Sequence, residues 1–376
     1  MANNDEYKYK TLLKRFKIKT LSPLHIAGSQ PWYNKFDYIY ESKYHTVFFI
    51  DYDDFLRQLD IDFLRETDEM EIYSNYMNEL FKQRKLKIPR RFSLGQEPAN
   101  IYPFIRDSYT PIIPGSSIKG AIRTAILAGV IRDKLQNHAA ISINPEDHYL
   151  KKQVGTKKDN NKMFMDTLKI ADSCFPVEQL KLFTFSSYSL SNNEFREKKE
   201  KKRVVEAIPA NIVLKNPMEI RLVFRETDKS LFPDVPRIID FPVSLRSHYQ
   251  WWIPQEIGIL KKYPSQNIAS VIQFYESLLK KLDTGSLLLH VGFGTGWQGK
   301  TGAFLEKNRF MWKNNIQDYV NDCRTENQKR KHVFTRIQND GRYKNYPFPK
   351  SRKLVMTGNS LLPPGWMEIN EEENSN

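Results

Sequence analysis

The chain has 376 residues, 40% hydrophobic, 27% charged and 13% aromatic, with a formal net charge of +14. That content supports a buried core in two domains, or in one domain with large insertions, and excludes wholesale disorder. Only Cys174 and Cys323 are present, which excludes a disulfide framework and a four-cysteine zinc site, and no apolar run reaches the ~20 residues of a membrane helix.

The polar start, Met1–Lys10, lacks the apolar core of a signal peptide, so a cytoplasmic protein is expected; separately, no metal or cofactor is expected. The excess positive charge attracts polyanions, nucleic acid first. A well-solvated basic surface is the plainer alternative.

In chain order, Lys14–Ser22 alternates polar and apolar residues with Phe16, Ile18 and Leu21 inward, which predicts a strand. Pro23-Leu24-His25-Ile26-Ala27-Gly28 breaks it. Tyr38–Tyr40 and Thr46–Ile50 predict a hairpin around Glu41-Ser42-Lys43, followed by a helix over Asp51–Leu59. Ile61–Lys85 reads as a helical insertion, and Ile101–Ile113 as a short hairpin broken at Arg106-Asp107-Ser108. Ile118, Ala121, Ile122, Ala125, Ile126 and Gly129 fall on one face of the clearest helix, which Ser116 or Ser117 can cap.

From Gln136 to Arg203 periodicity is lost, and Gly155–Lys162 and the charge run Arg196–Arg203 read as mobile, solvated loops. Strand character returns at Ile208–Phe224 and Arg237–Val243. Ile268, Val271, Ile272, Tyr275, Leu278, Leu279 and Leu282 predict a second amphipathic helix, Leu287–Val291 a strand, and Lys353–Met356 and Trp366–Ile369 short strands. The division this implies is 1–135, with a helical insertion near 51–95; an irregular insertion over 136–205; 206–300, ending in a glycine-rich loop; and a basic region over 301–376.

Three features carry chemistry. Pro114-Gly115-Ser116-Ser117-Ile118-Lys119-Gly120 stands between a strand and a helix, where unpaired N–H groups and the macrodipole suit a phosphate. Lys119 and Arg123 share a face and repel unless an anion bridges them. A capped helix with an incidental lysine fits equally well.

Gly292-Phe293-Gly294-Thr295-Gly296-Trp297-Gln298-Gly299-Lys300-Thr301 satisfies both the Walker A and the dinucleotide spacing. The chain after Thr301 is too short and polar for a P-loop fold, and no apolar strand ending in Asp follows. A flexible loop remains, whose backbone can approach a polyanion and whose Phe293 and Trp297 can stack on bases or simply pack in a core. The third feature is the stretch from Lys300 to Lys353, with fourteen Lys/Arg against five Asp/Glu, in which Tyr343, Tyr346 and Phe348 interleave with cations. The seven histidines form no close cluster. His25 alone stands in a motif-like setting, as a general base or a structural residue.

Taken together, Thr20–Ile26, Pro114–Arg123 and Gly292–Thr301 resemble the RAMP superfamily of CRISPR proteins. Within it, the late glycine motif, Pro364-Gly365-Trp366 and Lys169-Ile170-Ala171-Asp172-Ser173 are similar to the fifth subunit of type III-A Csm complexes. Ala27 departs from the glycine more usual there.

The resemblance implies an α+β, ferredoxin-like (RRM-type) core with large helical and irregular insertions. It implies a guide-RNA (crRNA)-binding subunit that caps the repeated backbone RAMP subunit at the guide 3′ end and supports crRNA maturation without a nuclease site of its own. The small Csm subunit and host nucleases are further possible partners, and no membrane is expected. The expected RNA contacts are His25, Ser116, Ser117, Lys119, Arg123, Gly292, Gly294, Gly296, Trp297 and Lys300. An RNA endonuclease using His25 and a P-loop nucleotide hydrolase stand as alternatives.

Overall fold

The alternating run near the start of the chain becomes the middle of a five-stranded sheet. A computed structural model describes residues 10–28, 30–58, 70–136, 164–191, 194–224, 235–263, 265, 268–296 and 351–372. These form β1 (Lys10–Thr20), β2 (Tyr38–Glu41), β3 (Thr46–Phe49), α1 (Tyr52–Gln58), α2 (Met70–Lys82), β4 (Arg90–Ser93), β5 (Ile101–Tyr102), β6 (Arg106–Asp107), β7 (Thr110–Ile113) and α3 (Gly115–Gln136). There follow β8 (Leu168–Ile170), β9 (Ser173–Cys174), β10 (Lys181–Ser191), β11 (Glu194–Ala207), β12 (Met218–Phe224), α4 (Val235–Ile239), α5 (Phe241–Lys262), α6 (Ala269–Asp283), β13 (Leu287–His290), β14 (Ser351–Thr357), β15 (Ser360–Leu362) and β16 (Trp366–Glu371).

The main sheet has the order β13-β16-β1-β12-β8, and every pairing in it is antiparallel. Strand alternation sets its two faces. Phe16 and Ile18 of β1 and Met218, Ile220 and Leu222 of β12 point into the core with Ile122 and Ile126 of α3 and Leu245 and Ile253 of α5. Each such fully buried side chain contributes about 1.5–3 kcal/mol relative to exposure.

Helix α5 corrects the strand expected at Arg237–Val243, which lies in α4 and the first turn of α5. Buried Phe241, Leu245, Tyr249, Trp252, Ile253, Ile257 and Leu260 follow the helical period. The first turn tolerates Pro242. Pro254, inside the helix, costs roughly 3 kcal/mol that the buried neighbours offset. Prolines among aromatic and branched residues disguise this helix as extended chain. Of the strand expected over Ile208–Phe224, only Met218–Phe224 is regular, while Ile208 and Val213 make single bridges to Leu24 and Lys19.

A second sheet has the order β15-β14-β10-β11-β5. Its long β10–β11 hairpin occupies much of what reads as an irregular insertion, and the run Arg196–Arg203 is strand, not solvated loop. A charged strand is stable here because one of its faces is solvated. Tyr188, Leu190, Phe195, Leu354 and Leu361 from this sheet join the main core. Phe185, Val205, Ala207 and Val355 form a smaller cluster with Tyr102 and Phe293. Arg352 of β14 donates through Nη2 to buried Glu256 of α5 at 2.9 Å, tying the sheet to the helices.

A third sheet, β2-β3-β4, packs Tyr38, Val47 and Phe49 against Ile101 and Val204. Among the described residues no helix is long and apolar enough to cross a membrane.

Candidate nucleic-acid interface

Three of the sequence motifs meet in one seam. The N–H of Phe293 donates to the His25 carbonyl at 2.7 Å, Gly365 N–H to Pro23 at 2.9 Å, and Val291 N–H to Gly365 at 2.8 Å. Gly292 has φ +77°, and a Cβ on it would stand 2.3 Å from the His25 oxygen. Gly294, at φ +121°, leaves no room beside the Pro364 ring. These glycines are needed for the chain to approach itself, and the loop is engaged by protein at the Phe293 N–H and at the Gly292 carbonyl, which accepts the Thr295 hydroxyl at 3.0 Å. Gly296, also at positive φ, would bring a Cβ only into ordinary contact with the Gly294 oxygen, at 3.8 Å. Trp297 and Lys300 lie outside the described residues, as does the interleaved run of Tyr343, Tyr346 and Phe348.

His25 sits inside this seam with 1% of its surface exposed. Its Nδ1–H donates to the Glu206 carbonyl at 2.7 Å, and its ring meets the edges of Phe104, Phe185 and Phe293. Burial pushes its pKa down to about 4, against the opposing pull of that hydrogen bond. A ring so enclosed cannot reach an RNA hydroxyl or phosphate, and its place is that of a structural histidine. The Glu206 carboxylate, itself buried, accepts from Arg90 at 2.7 Å, from Arg106 at 2.8 Å and from the Phe104 N–H at 3.0 Å.

The Pro114–Gly120 motif does begin a helix. Its first N–H, on Gly115, donates to Asp172 Oδ1 at 2.7 Å, so the chain supplies its own carboxylate where a phosphate was expected. A Cβ at Gly115 would lie 2.1 Å from the Ile170 oxygen, which locks the helix start onto β8. Ser116 is exposed, while Ser117, Lys119 and Arg123 are half-buried.

The second sheet holds what sequence reasoning missed. Ser187 lies opposite Lys198 on one side and Lys353 on the other; Ser189 lies opposite Arg196, and Phe185 opposite Arg203. Directly opposed residues share a face, so these cations flank a floor of small serines. The β11 residues 199–202 bulge out of register and carry exposed Lys199, Lys201 and Lys202.

Arg203 lies 5.0 Å from the Tyr102 ring and 5.5 Å from Phe293, and Lys353 lies 5.6 Å from Phe293. Burial, then the neighbouring Arg203 and Lys201, pulls the Lys353 pKa below its ordinary value. Arg196 pairs with Glu194 and Lys202 with Glu197, but among the described residues Lys198, Lys201, Arg203 and Lys353 have no carboxylate partner. Like charges held together this way are stabilised by an anion, and the adjoining rings suit a base. The pairing pattern, serine opposite cation on both flanks, was the only sequence signal, and it appears only once the hairpin register is known.

Among the described residues no group of three or more His, Cys, Asp or Glu side chains could hold a metal ion. A family model described as the RAMP superfamily matches residues 17–299. No curated protein matches. Among solved structures, a chain in the cryo-EM structure of a Csm–crRNA–target RNA ternary complex of a type III-A CRISPR-Cas system superposes with a TM-score of 0.64 at 18% identity, covering 96% of this chain and 100% of that one. The crystal structure of T. onnurineus Csm5 superposes with a TM-score of 0.54 at 16% identity, covering 93% and 99%.

Proposed function

The chain belongs to the RAMP superfamily, and on that footing we propose that it is a guide-RNA-binding subunit of a type III-A CRISPR effector complex. The observation that carries this reading is the cationic face of the second sheet, where Lys198, Lys201, Arg203 and Lys353 gather beside Tyr102 and Phe293 without carboxylate partners among the described residues. Cations fit a phosphate backbone, and flat rings fit bases of any sequence. Likeness over nearly the whole length to a chain of a Csm–crRNA–target RNA complex supports the same class of partner.

The finer reading is of a ferredoxin-like core that caps the repeated backbone RAMP subunit at the guide 3′ end and supports crRNA maturation. Its fold part draws support from the strand order: β1, β8, β12 and β16 stand in space as β16-β1-β12-β8, with β13 added at one edge. Its position draws support from symmetry, since a head-to-tail contact repeated without a cap gives an open polymer. The subunit is read as non-catalytic, because the one motif-like histidine is sealed in the seam. The small Csm subunit and host nucleases are candidate neighbours.

Two measurements test this. Binding of single-stranded RNA should weaken with salt along a log–log slope of several units, each neutralised phosphate adding roughly 0.7. Salt-independent affinity would end the RNA reading. Native mass spectrometry of the reconstituted complex should find one copy. Two copies, or guide RNA fully protected in its absence, would end the capping role.

A further inference from the structure

Beside the cationic face lies a cavity of about 690 Å³ that the preceding reading does not use. It opens between the third sheet and the segment from Pro103 to Tyr109. Trp32, Phe49 and Tyr52 line one side, and Phe104, Arg106 and Tyr109 the other. Its size falls within the range of small-molecule pockets. Tyr109 is 83% exposed and Tyr52 51%, an unusual outlay of aromatic surface to water.

The polar groups of the cavity are fixed. The Arg106 guanidinium lies 5.0 Å from the Trp32 ring and the Arg90 guanidinium 4.6 Å from the Phe49 ring. Both are held from behind by the buried Glu206 carboxylate, which leaves further N–H donors on each. Asp37, which lines the cavity, accepts the Tyr33 N–H on one oxygen at 2.8 Å, and its second oxygen has no hydrogen bond among the described residues. Burial raises its pKa, so a donor reaching it is bound in a poorly hydrated place. The two arginines, balanced by Glu206 and Asp37, leave little net charge in the wall. The occupant that fits is flat, uncharged and aromatic, with N–H donors on one edge and acceptors on another.

We propose that this cavity receives one unstacked nucleobase of the bound RNA, and that its edge chemistry selects guanine. Guanine presents N1–H and N2–H donors to a carboxylate and O6 and N7 acceptors to an arginine. The cavity is in reach of the RNA track by way of the segment that leaves β5. Tyr102 of the cationic face runs straight into Pro103 and Phe104 of the cavity wall. The proposal rests on the RNA-binding reading above.

Its test compares a short uridine-only RNA with the same RNA carrying a single guanosine at each position in turn, bound to the full chain. At one placement guanosine should tighten binding about tenfold. Asp37→Asn should abolish that ratio and leave the affinity for uridine-only RNA unchanged. Lys353→Ala should weaken both RNAs equally and keep the ratio. A ratio within twofold at every placement, or one that survives Asp37→Asn, overturns the pocket while RNA binding stands. If neither RNA binds, the pocket and the RNA-binding reading fall together.

Discussion

The two large sheets both carry many cations, yet they treat them in opposite ways. On β1 and β12 the cations are neutralised: Arg15 and Arg221 share Glu219 at 3.1 and 3.4 Å, Lys14 meets Glu371 at 3.1 Å, and Lys17 meets Glu372 at 3.7 Å. On the β10–β11–β14 face Lys201, Arg203 and Lys353 crowd one another instead, with Lys198 across Ser187 from Lys353. The net charge of +14 is therefore a poor guide to where a polyanion binds. What marks the proposed site is the failure of the chain to neutralise its own charge there.

The largest expected effect comes from acid acting on the buried histidines of the seam and of helix α5. His25, His248 and His290 are buried, with pKa values pushed down from 6.5 to about 4, 3 and 4 by burial. Above pH 6.5 neither the folded nor the unfolded chain protonates them, and they cost nothing. As the pH falls from 6.5 towards 4 the unfolded chain takes up protons that the folded chain refuses, so stability falls. At pH 5 the loss is roughly 2 kcal/mol per histidine. Denaturant unfolding at pH 7 and pH 5 measures it, and equal midpoints would show that the rings titrate normally in the fold.

The next effect separates the faces directly. Reversing Arg203 and Lys353 together, Arg203→Glu with Lys353→Glu, should lower RNA affinity about a hundredfold at low salt. The matching pair on the main sheet, Arg15→Glu with Arg221→Glu, should change it by less than about threefold. Equal losses from both pairs would mean that overall charge, not the cationic face, binds the RNA. The smallest effect runs the other way. Glu219→Gln leaves Arg15 and Arg221 unneutralised and should raise affinity by about two- to threefold at low salt, an increase that vanishes in high salt.

Periodicity made the main sheet legible. Phe16 and Ile18 on β1, the isoleucine face of α3 and the apolar rows of α6 all lie where their spacing puts them. Helix α5 was hidden because Pro242 and Pro254 punctuate a run whose apolar residues nonetheless keep a helical period. The hairpin β10–β11 was hidden for a different reason. Phe183-Thr184-Phe185 and Tyr188-Ser189-Leu190 do alternate and Asn192-Asn193 follows them, but the run Arg196–Arg203 carries so many charges on both faces that it reads as solvated loop, and the hairpin loses its second strand. The site divided in the same way. The glycine motifs were recognisable as places of close backbone approach, but sequence alone does not say what approaches. For Gly292, Gly294 and Gly115 it is the chain itself: the His25 oxygen, Pro364 and the Ile170 oxygen. Arg203, Lys353 and Tyr102 come from three distant segments, and only strand register brings them together.

The place of β16 has a consequence for biosynthesis. It fills the slot between β13 and β1, pairing Phe16 with Glu371, 355 residues further on. At roughly 5–20 residues per second, a ribosome that has made β1 needs about 20–70 s to deliver its neighbour. Through that interval one flank of the central strand has no native partner, and the apolar row of Phe16 and Ile18 depends on the helices alone for cover. The sheet closes only after β16 has left the exit tunnel, so this core cannot complete its fold while the residues up to Glu371 are still being made.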